Sequence, residues 1–214
     1  MVSRRNNEPT ASVVTIMSSS FEVTWDYLCP FARNAHEHLA VGLKGGADWD
    51  VHFRFFSLAQ NHKPDGDVWG SPGDHAGVLA GLAGIVVREQ QPDRFLDAHV
   101  ALFRARHDQA LDLRDREVIV AALDGVGLDG NAVVGEALSG WPAERAQAEH
   151  EEAVQRWEVF GVPTFITGDR AVFVRLMHRP EGDAKVAEST VDRVLYLVDG
   201  FPELNEYKFT KIPR

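Results

Sequence analysis

FEVTWDYLCPFA, residues 21–32, is the stretch on which the fold turns. Phe21, Val23, Trp25 and Tyr27 alternate with Glu22, Thr24 and Asp26, the period of a strand with one face buried. Cys29-Pro30 then opens a segment, Phe31 to Leu43, that reads as a helix and stops at Gly45-Gly46. Proline is preorganised for the first helical turn, so Cys29 falls at or just before the helix start. Trp49, Val51, Phe53 and Phe55 alternate in turn with Asp50, His52 and Arg54. Strand, helix and strand in immediate succession predict a βαβ unit with parallel strands.

Beyond this unit the period changes. Asn61 to Asp74 is rich in Gly, Pro and Asp and reads as a linker. Phe95, Leu96, Leu102 and Phe103 share one helical face, and Val118, Ile119, Ala122 and Leu123 share another. A further helix is predicted from Pro142 through Ala146, Ala153 and Trp157 to Phe160. Strand character is lacking from Gln60 to Gln155 and returns at Pro163–Thr167 and Ala171–Leu176, joined by the turn residues Gly168-Asp169. Val191, Val194, Leu195 and Val198 then recur at i, i+3, i+4 and i+7, the mark of a closing amphipathic helix. The reading is an α/β fold of order βαβ, helical insertion, ββα. Residues 21–60 and 156–214 form the α/β domain, 61–155 the all-helical insertion and 1–20 a disordered N-terminal extension.

The formal net charge of −10 disfavours phosphate-backbone binding as the main function, since that needs a basic footprint. The single cysteine excludes an intramolecular disulfide and a zinc site built on several thiolates. Near the N-terminus only Val13 to Met17 is apolar, too short for a membrane span. These features point to a cytoplasmic protein whose thiol stays reduced, with no metal, nucleic-acid or membrane partner.

Cys29 carries the chemistry. A strand end that meets a helix N-terminus is where ligands bind open α/β sheets, and free amides with the helix dipole favour an anion there. A thiol so placed is expected to be partly exposed and acidified; the alternative is a small buried hydrophobe. Pro163, flanked by Gly161-Val162 and Thr164, opens a strand and suggests a special peptide geometry. His99 shares the face of Phe95, Leu102 and Phe103, so it either looks toward Cys29 or is a satisfied core histidine. His36 and His38, two apart on a helix, point to different faces. Glu149–Glu152 reads as a solvated run, and Trp25, Trp49 and Trp157 as core.

Asp26-Tyr27-Leu28-Cys29-Pro30, a helical insertion, and Val162-Pro163-Thr164 before a hairpin and helix together resemble the DsbA-like thioredoxin-fold family, from about Phe21 to Phe201. Phe95 to Leu113 is similar to the insertion of its cytoplasmic members. Phe201-Pro202-Glu203-Leu204 and the tail are similar to the mycothiol-dependent nitroreductase branch. The resemblance implies that Cys29 attacks, that Pro163 is cis and lies against it, and that the Val162 backbone pairs with substrate or a small thiol. Pro30, Phe31, Ala32, Thr164 and His99 would complete the thiol- and substrate-binding set.

One position departs from the family. Dithiol members carry Cys-x-x-Cys, whereas position 32 is Ala32, so a mixed disulfide on Cys29 could not be resolved internally. The expectation is a monothiol oxidoreductase with no tightly bound cofactor. It would use mycothiol or glutathione as co-substrate and act as a monomer or homodimer. The alternatives are a transferase or isomerase activity, as in kappa-class glutathione transferases and 2-hydroxychromene-2-carboxylate isomerases, and a non-catalytic binding module.

Overall fold

The computed structural model describes residues 20–63, 65–206 and 208, so the extension expected over residues 1–20 lies almost wholly outside the described residues. The alternating stretch is strand β1, Ser20–Trp25, followed by helix α1, Pro30–Lys44, and strand β2, Asp50–Phe55. β1 and β2 run parallel, in register from Phe21 opposite Val51 to Trp25 opposite Phe55. β1 stops at Trp25 because the chain turns there: the Cys29 amide donates to Asp26 O (3.1 Å). α1 ends where Gly45 returns its amide to Val41 O and Gly46 takes a left-handed φ of 95°.

Six helices separate β2 from the next strand: α2 (Leu58–Asn61), α3 (Val78–Gln90), α4 (Pro92–His107), α5 (Arg116–Asp124), α6 (Gly130–Ala137) and α7 (Trp141–Trp157). Among the described residues this region contains no strand. α3 is its axis, buried on every side from Val78 to Val87. Its glycines permit close approach: a Cβ on Gly81 would stand 2.3 Å from the Phe55 ring, and one on Gly84 2.6 Å from the Tyr27 hydroxyl. The helices therefore share one continuous apolar core with the sheet.

Strands β3 (Thr164–Thr167) and β4 (Arg170–Phe173) form the expected hairpin, and helix α8 (Ala184–Gly200) closes the chain against α1. β3 lies antiparallel to β1, giving one mixed sheet of order β2-β1-β3-β4. β3 begins after Pro163, which has no amide to give a ladder. β4 ends at Phe173, short of the expected Leu176, because the following backbone is claimed elsewhere. Val174 N donates to Pro163 O (3.0 Å), and Leu176 O accepts from Asn34 Nδ2 (2.8 Å).

Glu149 corrects the reading of a solvated acidic run. It is 4% exposed and accepts from Phe55 N at the outer edge of β2, from Arg88 and from Arg145. A buried carboxylate is tolerable when it is saturated in this way. Glu152, half-exposed, pairs with Arg54.

Candidate active site

Cys29 is the N-cap of α1, with an extended backbone (φ −89°, ψ 118°) and Pro30 directly behind it. Its Sγ accepts from Ala32 N at 3.4 Å, a long contact, and donates its proton to Val162 O at 3.1 Å. The thiol is 8% exposed. Burial raises its pKa above the ordinary thiol value, the Ala32 and Phe31 amides oppose this, and Asp26 adds to it. The expectation of a partly exposed, acidified thiol is therefore corrected. The helix amides are present as foreseen, but a carbonyl covers the sulfur, and loss of solvation outweighs them.

Val162–Pro163 is a cis peptide bond. The loop is pinned from several directions: Thr164 N donates to Thr24 Oγ1 (2.8 Å), Thr164 Oγ1 to Gly161 O (2.8 Å), and Val174 N to Pro163 O (3.0 Å). Thr24 therefore ties β1, the strand that leads to Cys29, to the loop that covers it. Around the thiol, Pro30 is exposed, Phe31 half-buried, and Ala32, Val162, Pro163 and Thr164 are buried.

His99 does not face the cleft. It is fully buried and bonded at both ring nitrogens, to Tyr27 Oη through Nδ1 (2.8 Å) and to His36 Nδ1 through Nε2 (2.9 Å). His36 Nε2 lies 3.0 Å from Thr24 O. A carbonyl can only accept, so His36 carries its proton on Nε2 and accepts at Nδ1. His99 must then donate from Nε2 and accept at Nδ1, and Tyr27 Oη donates to it. Direction and tautomer are fixed along the chain, with both imidazoles neutral. Burial holds His36 down at about 4 and His99 well below its usual value. His38 turns the other way, to His178 O, as the spacing required.

Two groups that the sequence reading passed over lie beside Cys29. Asp26 is buried and accepts from Leu28 N and Leu58 N (2.8 Å each), and burial raises its pKa to about 6. His107, at the end of α4, puts Nε2 2.9 Å from Tyr27 O and so steadies the turn that carries Cys29. His107 stands four residues after Phe103, on the face that selected His99, so the same period marked it. The only sequence cue for Asp26 was its place three residues before Cys29. On α1, Arg33 is clamped by Glu37 and by both oxygens of Asp108, and Arg179 reaches the same two acids. Among the described residues no three His, Cys, Asp or Glu side chains gather as metal ligands, and no helix is long and apolar enough to cross a membrane.

A family model described as the DSBA-like thioredoxin domain matches residues 22–178. Among solved structures, the cytosolic disulfide reductase DsbM from Pseudomonas aeruginosa with GSH is similar at 15% identity. Its TM-score is 0.57, with 83% of this chain and 100% of that one covered. Reduced DsbA1 from Neisseria meningitidis gives 16% identity and a TM-score of 0.53 over 82% of this chain and 85% of that one. Oxidised BdbD from Bacillus subtilis gives 15% identity and a TM-score of 0.56 over 82% and 86%. At these identities the structures attest the fold. No curated protein sequence matches the chain.

Proposed function

The chain belongs to the DSBA-like thioredoxin-domain family of thiol oxidoreductases, and from that premise we propose that it works as a monothiol enzyme through Cys29. The observation that carries the reading is the seating of Cys29 Sγ on the helix N-terminus and against Val162 O, beside cis-Pro163, with Ala32 where a resolving thiol would stand. In the first step Cys29–SH meets a disulfide RS–SR′. A Cys29–S–SR bond forms, the RS–SR′ bond breaks, and R′S⁻ leaves and takes up the proton given up by Cys29. In the second step an external thiol R″SH attacks the mixed disulfide, releasing RS–SR″ and regenerating Cys29–SH. A small cellular thiol, mycothiol or glutathione, fits the role of R″SH, and the cytoplasm is the compartment where such thiols are reduced.

Intact-mass measurement after exposure to glutathione disulfide tests this. One adduct per chain is expected, stable to dilution and removed by added glutathione. An unmodified Cys29 after prolonged exposure overturns the reading. The burial of Cys29 favours one second reading, in which a bound small thiol reacts and Cys29 only helps to seat it. In that case Cys29→Ser keeps turnover, whereas the monothiol mechanism loses it.

A further inference from the structure

Three arginines, Arg33 on α1 and Arg175 and Arg179 in the segment after β4, are treated differently. Arg33 and Arg179 are each neutralised by Glu37 and Asp108. Arg175 makes no ion pair or hydrogen bond with any described residue. It is exposed, and its guanidinium lies over two aromatic rings, 5.4 Å from the centre of Phe31 and 6.0 Å from that of Phe173. Glu206 senses its charge but is paired with Lys208.

Those rings flank the two segments that carry and cover the thiol, the start of α1 and the loop at Gly161. Phe31 is the second residue of α1, two positions after the cap formed by Cys29. Phe173 packs on Phe160 at 5.3 Å, and a Cβ on Gly161 would touch its ring at 3.4 Å. Phe160 is 67% exposed although it directly precedes the loop that covers Cys29. An aromatic arc therefore runs from Phe31, on the helix that Cys29 caps, to Phe160, beside the loop that covers it, and the cation stacked in it is paired by no described residue. Stacking holds a guanidinium flat and leaves its N–H donors free for a planar anion.

We propose that Arg175 selects the small molecules that exchange with Cys29, favouring disulfides and thiols that carry a carboxylate beside an apolar or aromatic body. The proposal rests on the thiol-exchange reading and adds a substrate class to it. The carboxylate sits on the guanidinium, the apolar body lies on Phe173 and Phe160, and the disulfide is presented to Cys29. The apolar surface sets affinity, and the charge sets the choice among ligands.

Two aromatic disulfides of different charge separate the terms: 5,5′-dithiobis(2-nitrobenzoate), a dianion, and 4,4′-dithiodipyridine, which is neutral. Each reacts as Cys29–SH + ArS–SAr → Cys29–S–SAr + ArS⁻ + H⁺, and the released thiolate, or its thione tautomer for the pyridine reagent, is read by absorbance. Arg175→Gln is expected to slow the dianion about tenfold, the loss of one charge-assisted contact. It should leave the neutral reagent within about twofold, and Arg175→Lys should recover part of the loss. Equal slowing of both reagents, or slowing of neither, overturns the role of Arg175 while leaving Cys29 reactive. A Cys29 that ignores both reagents in the unsubstituted protein overturns the thiol reading itself, and the selectivity with it.

Discussion

Cys29 Sγ points its proton at Val162 O across 3.1 Å, so the resting sulfur is held as a thiol by the same loop that would receive a substrate. Ionisation would set a buried thiolate against a carbonyl dipole, and burial raises the pKa accordingly. The alkylation rate with iodoacetamide should therefore be low at neutral pH and still rise beyond the range in which a free cysteine levels off. The sign follows for stability as well. The folded state holds a proton that the unfolded chain releases, so this contribution is lost as pH climbs through the folded pKa. A rate plateau below pH 8 would contradict the geometry.

Ala32→Cys tests the missing partner. Position 32 is fully buried, and its amide already reaches Cys29 Sγ. A second thiol there should let the protein release a mixed disulfide without added thiol and, with dithiothreitol as reductant, reduce the disulfides of insulin catalytically. Intact mass and insulin turbidity report the two gains. An adduct that persists in the variant would show that Cys29 alone does not limit exchange.

Thr24→Val removes the hydroxyl that receives Thr164 N and leaves a buried amide unpaired. The expected cost is about 1–3 kcal/mol, read from urea unfolding. The loop over Cys29 loosens too, so alkylation should speed up at pH 7. Stability loss without faster alkylation would mean that Val174 N→Pro163 O holds the cover by itself.

The buried imidazoles set the acid limit. His36 and His150 are held down at about 4, against a usual 6.5, and His99 well below its usual value, in each case chiefly by burial. Between pH 6.5 and 4 the unfolded chain binds protons that the native imidazoles refuse, so stability falls with pH in that window. His36 alone accounts for roughly 3 kcal/mol at about 1.4 kcal/mol per pKa unit. Asp26, raised to about 6, works in the opposite sense between about 4 and 6, because its native carboxyl keeps a proton. Three imidazoles outweigh one carboxyl. The urea midpoint should drop steeply from pH 6.5 to 4, and a flat profile would refute the neutral histidine chain.

Tyr27→Phe cuts that chain at its donor end and leaves His99 Nδ1 buried without a proton to accept. About 1–3 kcal/mol should be lost at pH 7. An isosteric change without effect would show that the hydroxyl donates elsewhere.

What the sequence revealed and what it concealed follow from how far each signal travels along the chain. β1, the Cys29-Pro30 helix start and the spacing Val191, Val194, Leu195, Val198 are local patterns, and each lies where its period placed it. α3 was invisible because a helix buried on every side has no polar face to create a period, and its glycines weaken helix propensity. They are present because Phe55 and Tyr27 press against them. The cover on Cys29 and the partners of His99 come from distant segments, so no window around those residues could disclose them. Glu149 looked solvated because Arg88 and Phe55 N belong to other elements.

The hydrogen bond from Cys29 to Val162 spans 133 positions of sequence. The helices between them are made after the thiol and before its cover. At about 5–20 residues per second of synthesis, the growing chain carries Cys29 without its lid for on the order of ten seconds. A newborn chain is thus open to capture by any disulfide that the finished protein would meet only through its shielded site. Capture at that stage would place a foreign group where Val162 must later close, so the reducing capacity of its surroundings matters to this protein before it has any activity.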